Sequence, residues 1–309
     1  MTGRPAPAQR AAVSGLVALC LAAAACAPAP PTDPAPPGPF EDARALGAAV
    51  GALYVVDGAS SAVLVLTPAG APLGVLGGVG TGDGALLDPT DVDPTNGQAV
   101  FVADPGAGTV THFTAEGRAA ETVAVPEVDA SRVARAVGPD PRDLPRGRPT
   151  AVAAAADGAL YVVEAGRGVV LRLDAQRRVE RVLGEGGEGA LREPVGLAVG
   201  DDGTLYVADR GRGGVQAFDA FGAPGRFLPA PDGGPVAVAT SGDDVVVVAP
   251  RAVAVHGRGG RDREVAWAGA PLVDAALVDG ALVGLTRTRV VALEDGARRS
   301  ALPPRPGRR

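Results

Sequence analysis

Four acidic residues occupy the same place in a recurring segment of the sequence. The segments read LYVVD, VFVAD, LYVVE and LYVAD, and they end at Asp57, Asp104, Glu164 and Asp209. These turn acids could form a ring of carboxylates around a pore and hold a cation. Alternatively, each could accept hydrogen bonds from the backbone of the turn that follows it. Because a repeated structural role requires one register, the recurrence favours the structural interpretation.

Arginines follow the later segments of this kind. The turns after the third to the sixth segment contain Arg167, Arg210, Arg212, Arg251, Arg287 and Arg289, and the first two turns contain none. Guanidinium groups bind anions through paired hydrogen bonds. We therefore predict that these turn arginines form a basic arc that binds an anionic partner or a glycan. The alternative is ordinary solvated surface, because the chain has no lysine and all 29 basic residues are arginine.

The segments belong to a larger repeat that fills the chain after residue 43. An apolar stretch and an Asp-Gly or Asn-Gly turn precede most of the six segments, and two further strand-like stretches follow. Strand units with a period near 40 residues are typical of propeller blades. The sequence thus predicts an all-β fold, a six-bladed β-propeller with four-stranded antiparallel blades, which leaves only short protected sheet edges. The predicted blades span about 43–78, 88–126, 148–185, 194–230, 234–269 and 271–303.

The motifs of the middle blades resemble NHL repeats. The stretch 184–228 has a glycine-rich lead-in, the sequence REPVGLAVGDDGTLYVAD and a glycine turn, and the stretch 77–118 is similar. The resemblance covers about residues 43–303 and implies a six-bladed propeller. It is weakest in the last two blades, where Ala249 and Thr286 replace the turn acid.

The residue types limit the enzyme classes that this resemblance would allow. The gluconolactonase-like propellers hold a divalent metal with a glutamate, an aspartate and two asparagines, but this chain has a single asparagine, Asn96. The amidating lyase, which is similar to an NHL propeller, relies on several histidines. Here His112 and His256 fall three blades apart, so we expect two surface residues that share no metal. We predict no catalytic residue, no metal and no cofactor.

The N-terminus predicts an export signal. Residues 1–25 combine Arg4 and Arg10 with an apolar run, as in a signal peptide. LAAAAC resembles a bacterial lipobox with Cys26 as the lipidated residue, and residues 26–42 form a proline-rich tether. We expect an exported, lipid-anchored protein of the cell envelope, which would lie in the outer membrane or periplasm if the host is Gram-negative. The alternative is signal cleavage without lipidation, which would give a soluble secreted protein.

Two basic segments interrupt or follow the repeat. The insertion 127–147 separates the second and third blades, and its EVDASRVARAV stretch predicts a short helix. The tail 304–309 is also basic. Long loops in compact domains are often functional.

The overall charge limits the partners. A net charge of −6 disfavours nucleic acid, which needs a basic field. We predict a monomeric binding or scaffolding module for a protein, peptide or glycan, with membrane contact through the lipid anchor only. The alternative is a lactonase-like propeller hydrolase or lyase with a carboxylate-lined site at the pore mouth.

Overall fold

The computed structural model describes residues 40–128, 144–231, 234–257 and 260–293. These residues belong to one compact unit, Asp33–Arg309. Several predicted segments lie outside the described residues: the signal peptide, Cys26, residues 27–39 of the tether and the basic tail. Of the insertion only 127–128 and 144–147 are described, so most of its predicted helix lies outside as well. Residues 40–42, which the sequence assigned to the tether, belong to the folded part, where Phe40 is buried.

The described residues form six antiparallel sheets, which confirms the predicted six-bladed β-propeller. Blade 1 contains β1 (Ala43–Ala49), β2 (Ala52–Asp57), β3 (Ala62–Leu66) and β4 (Pro72–Gly77). Blade 2 contains β5 (Asp91–Asp93), β6 (Ala99–Asp104), β7 (Thr109–Thr114) and β8 (Ala119–Ala124). Blade 3 contains β9 (Pro149–Ala154), β10 (Leu160–Glu164), β11 (Val169–Leu173) and β12 (Val179–Leu183).

The second half of the ring follows the same order. Blade 4 contains β13 (Pro194–Val199), β14 (Leu205–Asp209), β15 (Gly214–Phe218) and β16 (Pro224–Pro229). Blade 5 contains β17 (Ala237–Ser241), β18 (Asp244–Ala249), β19 (Ala252–His256) and β20 (Arg263–Ala266). Blade 6 contains β21 (Leu272–Val278), β22 (Ala281–Thr286) and β23 (Val290–Ala292), and the residues after 293 lie outside the described part.

The first strand of each blade lies innermost, and the six inner strands contact one another around the ring. These inner strands are β1, β5, β9, β13, β17 and β21. The chain turns tightly between the first and second strands of each blade. Asn96-Gly97 makes this turn in blade 2, where Gly97 has a φ of 75° that a residue without Cβ adopts at no steric cost.

Six apolar clusters hold the ring together, and each of them lies between two neighbouring blades. The cluster between blades 6 and 1 joins the two ends of the repeat. Phe40 packs there with Leu46 and Leu285 and is 3% exposed. Two backbone bonds accompany it, from the Phe40 N–H to the Thr288 carbonyl at 3.3 Å and from the Ala43 N–H to the Arg287 carbonyl at 2.9 Å. This junction closes the propeller without a covalent connection.

No helix in the described ranges has the length and apolar character needed to cross a membrane.

Candidate functional site

A central cavity of about 600 Å³ lies between the inner strands. It extends to the turns that join first and second strands, where Thr95, Ala156 and Gly203 line it. Most of the residues that line it are small or apolar, but backbone and side-chain polar atoms make up about half of its surface. None of the described residues that line this cavity is basic, whereas four are acidic: Asp91, Asp93, Asp201 and Asp274.

Asp91 and Asp274 occupy equivalent positions in blades 2 and 6. Each pairs with the penultimate residue of its second strand, Ala103 and Leu285 respectively. The four other blades have only small residues at this position: Ala45, Ala151, Gly196 and Ala237. Both aspartates also line a second, smaller cavity of about 50 Å³ on the opposite side of this layer. They therefore form the floor of the central cavity.

The floor carboxyl groups bind the free edge of a neighbouring inner strand. Asp274 Oδ2 accepts the N–H of Leu46 in blade 1 at 2.8 Å, and its Oδ1 accepts the N–H of Ala275 at 2.7 Å. Asp91 Oδ2 accepts the N–H of Val152 in blade 3 at 2.8 Å. These bonds satisfy backbone donors that would otherwise face the cavity.

Asp93 continues this arrangement toward the cavity mouth. Its Oδ2 accepts the N–H of Ala154, two residues beyond Val152, and its Oδ1 accepts the N–H of Thr95. Asp201 is exposed at the mouth. The acidic residues thus extend from the floor to the opening, mostly on the side of blades 6, 1 and 2.

Burial shifts the proton equilibria of the floor. It raises the pKa of Asp274 to about 8, and the negative charge of Asp91 adds to this effect. Burial likewise raises the pKa of Asp91 to about 7, with a further contribution from Asp93, although backbone N–H donors partly oppose both shifts. Burial also raises the pKa of Asp93. Near neutral pH the floor therefore contains carboxyl groups that can either hold or release a proton.

The turn acids lie elsewhere. All four are buried, and none is among the residues that line the central cavity. Glu164 accepts the N–H groups of Arg148, Gly166 and Arg167 at 2.8–3.0 Å. It thereby joins the start of its inner strand to the turn after its second strand.

The other turn acids make equivalent bonds within their blades. Asp209 accepts the N–H groups of Arg192 and Glu193, both at 2.9 Å. Asp57 accepts the N–H of Asp42 and the hydroxyl of Ser60. Asp104 accepts the N–H groups of Leu87, Asp88 and Ala107. In blade 6 the hydroxyl of Thr286 accepts the N–H of Arg289 at 3.2 Å.

The turn arginines contact groups of the propeller itself. Ion pairs join Arg167 to Glu185 at 3.0 Å, Arg210 to Glu193, and Arg287 to Asp42 at 3.2 Å.

Two more turn arginines are also engaged within the fold. Arg212 lies over the Phe227 ring, 4.9 Å from its centroid, and donates to the Gln216 side chain at 2.9 Å. Arg251 donates to the Gly269 carbonyl, whereas Arg289 is exposed. Ligand binding by the turn arginines stays a prediction, but five of these guanidinium groups already have partners in the described residues.

The histidines differ from the expectation that both lie at the surface. His256 is 8% exposed, and its Nδ1 lies 3.3 Å from Asp262 Oδ2. His112 is half-buried and stacks on Phe101 with ring centroids 4.7 Å apart. The expectation is wrong for His256, which is buried at the end of β19 where this strand pairs with β18, whereas His112 remains partly exposed. In the described part of the chain, no group of three or more His, Cys, Asp and Glu residues could hold a metal ion.

The sequence interpretation missed Asp91, Asp93 and Asp274. A signal for two of them was present, because alignment of the blades on their second strands places Asp91 and Asp274 opposite small residues in every other blade. What the alignment lacked was the direction of these side chains, which depends on how the inner strands approach one another around the ring.

Comparison with known proteins supports the fold assignment. The NHL-repeat family model matches residues 191–218, which include the first three strands of blade 4. No curated protein matches the chain. The matched residues lie within blade 4, so this match covers one of the six blades.

Several solved propellers are similar in structure. A gluconolactonase from Xanthomonas campestris has a TM-score of 0.60 and 16% identity, over 83% of this chain and 88% of that one. A streptogramin B lyase has a TM-score of 0.57 and 13% identity, over 84% and 94% of the two chains. A catalytically inactive virginiamycin B lyase from Staphylococcus aureus, solved with quinupristin, has a TM-score of 0.56 and 12% identity, over 81% and 80%. At such low identity these similarities establish the shared fold alone.

Proposed function

We propose that this propeller is a binding module of the cell envelope, anchored through lipid on Cys26, and that its central cavity receives a cationic group of a protein or peptide partner. The lining of the cavity supports this proposal, because it includes four carboxyl groups and, among the described residues, no basic residue. Fatty-acid labelling that persists in Cys26→Ser would exclude the anchor.

The cavity is large enough to admit a long side chain of a partner. A volume of about 600 Å³ lies within the usual range for small-molecule pockets. An arginine or lysine side chain could bury its methylene groups against the valine, leucine and alanine side chains of the lining and bring its charge to the floor. There Asp91 and Asp274 would lose their protons, because a nearby cation favours the ionised carboxylate.

A titration with matched peptides tests this function. We expect a short peptide with one arginine to bind more tightly as pH rises from 6 to 9, since the floor ionises over this range, and a glutamine analogue to bind at least about tenfold more weakly. The double variant Asp91→Asn/Asp274→Asn should lose the preference for arginine and its dependence on pH. Calorimetry measures both.

Asp279→Asn is the matched control for this titration. It removes a carboxylate from the exposed turn of blade 6 that does not line the cavity. Asparagine also tolerates the positive φ of this residue. Equal binding of the two peptides by the wild type, or equal loss of binding in the control, contradicts the proposal.

A specific observation favours catalysis as a second candidate. Carboxyl groups with pKa values of about 7 and 8 can serve as general base and general acid near neutral pH. The fold is also that of the propeller lyases and the gluconolactonase. An assay with gluconolactone and quinupristin should then show turnover that Asp91→Asn abolishes and Asp279→Asn retains. Absence of turnover with both compounds, or turnover that survives in Asp91→Asn, counts against this candidate.

A further inference from the structure

The turn between the first two strands of blade 1 has an unusual residue at its first position. It is a two-residue hairpin turn, Val50-Gly51, and both residues have positive φ, 48° and 68°. Blade 6 has the same geometry at Asp279-Gly280, with φ of 49° and 81°. Asparagine and aspartate suit the first position of such a turn, whereas a β-branched residue is strained there.

Packing does not offset the strain at Val50. Its side chain is 84% exposed, the highest value for a large apolar residue in the described ranges. It also belongs to none of the six apolar clusters that these ranges form. Strained residues of this kind cluster at functional sites. Val50 therefore has the properties of a binding residue and not those of a core residue.

Val50 lies on the face of the propeller where the central cavity opens. The equivalent turns of blades 2 and 4 contribute Thr95 and Gly203 to the cavity lining. The Val50 side chain extends toward the turn of blade 2, where its Cγ2 lies 3.2 Å from the position that a Cβ on Gly97 would occupy. A peptide that inserts one side chain into the cavity would thus bring its neighbouring residues close to Val50.

A hydroxyl group without a partner lies next to Val50. The hydroxyl oxygen of Tyr54 is 3.7 Å from the same position beside Gly97. In blade 3 the equivalent hydroxyl, that of Tyr161, accepts a hydrogen bond from Arg172 at 3.2 Å. Blade 1 has an apolar residue where blade 3 has this arginine, and no described residue binds the Tyr54 hydroxyl. Burial raises the pKa of Tyr54, so the hydroxyl keeps its proton and can donate.

We propose that Val50 and the Tyr54 hydroxyl form a second contact site for the segment that inserts its cation into the cavity, an inference that rests on the proposed function. Val50 contacts an apolar side chain of this segment, and the hydroxyl donates to one of its backbone carbonyls. Residues two apart in an extended segment project to the same side. The partner segment therefore has an apolar residue two positions from its arginine or lysine.

Calorimetry at pH 9 with matched peptides tests this site, on the full chain with Cys26→Ser to prevent lipidation. Two probes carry leucine two residues before or two residues after a single arginine, and each has a parent with serine in place of leucine. We expect one leucine probe to bind at least about fivefold more tightly than its parent. Val50→Asn should remove this difference. Tyr54→Phe should weaken the probe and its parent alike, by about fivefold.

Thermal unfolding separates a binding role from a structural one. Val50→Asn should raise the thermal midpoint, because asparagine tolerates the positive φ, and Tyr54→Phe should leave it unchanged. Val79→Asn is the matched control, since it makes the same change at a valine that is 81% exposed and does not line the central cavity. It should bind all four peptides like the wild type.

Four results would each overturn the inference. They are equal binding of the leucine probes and their parents by the wild type, a preference for leucine that survives in Val50→Asn, a lower thermal midpoint of this variant, and unchanged binding by Tyr54→Phe. If arginine is required but leucine is not, this inference fails alone. If a glutamine analogue binds as tightly as the arginine peptide, the proposed function fails as well.

Discussion

Replacing Phe40 by alanine is expected to lower the free energy of unfolding by about 3–5 kcal/mol, which is the usual cost of removing a buried phenylalanine side chain. Phe40 is 3% exposed and packs between blades 6 and 1 with Leu46, Leu53 and Leu285. Neighbouring blades elsewhere in the ring are joined by the chain itself. Among the described residues, packing, hydrogen bonds and an ion pair hold the two ends together at this junction, so a cavity there weakens closure of the whole propeller.

Urea unfolding followed by circular dichroism measures this change. Phe221→Ala serves as control, because Phe221 is 81% exposed and its truncation should change the free energy of unfolding by no more than about 0.5 kcal/mol. Hydrogen exchange should also show that the inner strands β1 and β21 lose protection first in Phe40→Ala. If Phe40→Ala unfolds at the same urea concentration as the control, closure does not depend on this side chain.

Stability is expected to fall by several kcal/mol as pH rises from 5 to 9, and Asp274→Asn should remove a large part of this fall. The pKa of Asp274 is about 8 in the folded protein, against an ordinary value of 3.8. Between these values the folded state holds a proton that the unfolded state has lost, so the free energy of unfolding decreases with rising pH. Asp91, with a pKa of about 7, acts in the same direction.

The measurement is the urea midpoint at pH 5, 7 and 9. Asp274→Asn should be less stable than the wild type at pH 5, by about 1–3 kcal/mol, because an NH2 group, which cannot accept, would replace one of the two oxygens that accept the N–H groups of Leu46 and Ala275. Its midpoint should nevertheless change less with pH. Asp279→Asn, in the exposed turn, should keep the full pH dependence of the wild type. A wild-type midpoint that is equal at pH 5 and 9 would falsify the assignment of the floor.

Phe40 and Asp274 both stabilise the junction between blades 6 and 1, from different sides. Phe40 packs on the apolar side of blade 1, whereas Asp274 reaches from blade 6 to the Leu46 backbone on the cavity side. If the cavity binds a cation as proposed, a bound ligand should offset the loss of stability at high pH, because the ionised floor would then have a counter-charge.

Much of the fold was predictable because it depends on local patterns that repeat. The LYVAD-type segments, the Asn-Gly and Asp-Gly turns and the spacing near 40 residues predicted six antiparallel blades, which the structure confirms. Each pattern acts within one blade, through alternation of buried and exposed residues and through turns that require positive φ. The hydrogen bonds of Glu164 and Asp209 also stay within one blade, between residues that the repeat itself brings together.

The lining of the central cavity depends on contacts between blades. The sequence did not reveal these contacts. Asp91 and Val152 are 61 residues apart, and Asp274 and Leu46 are 228 residues apart. Only closure of the ring brings each carboxyl group to the edge of the next inner strand, buries it and raises its pKa. The sequence by itself determined the blade, because its interactions are short in range. The tertiary structure decided which acids face the cavity, because the environment of a side chain there comes from a different blade.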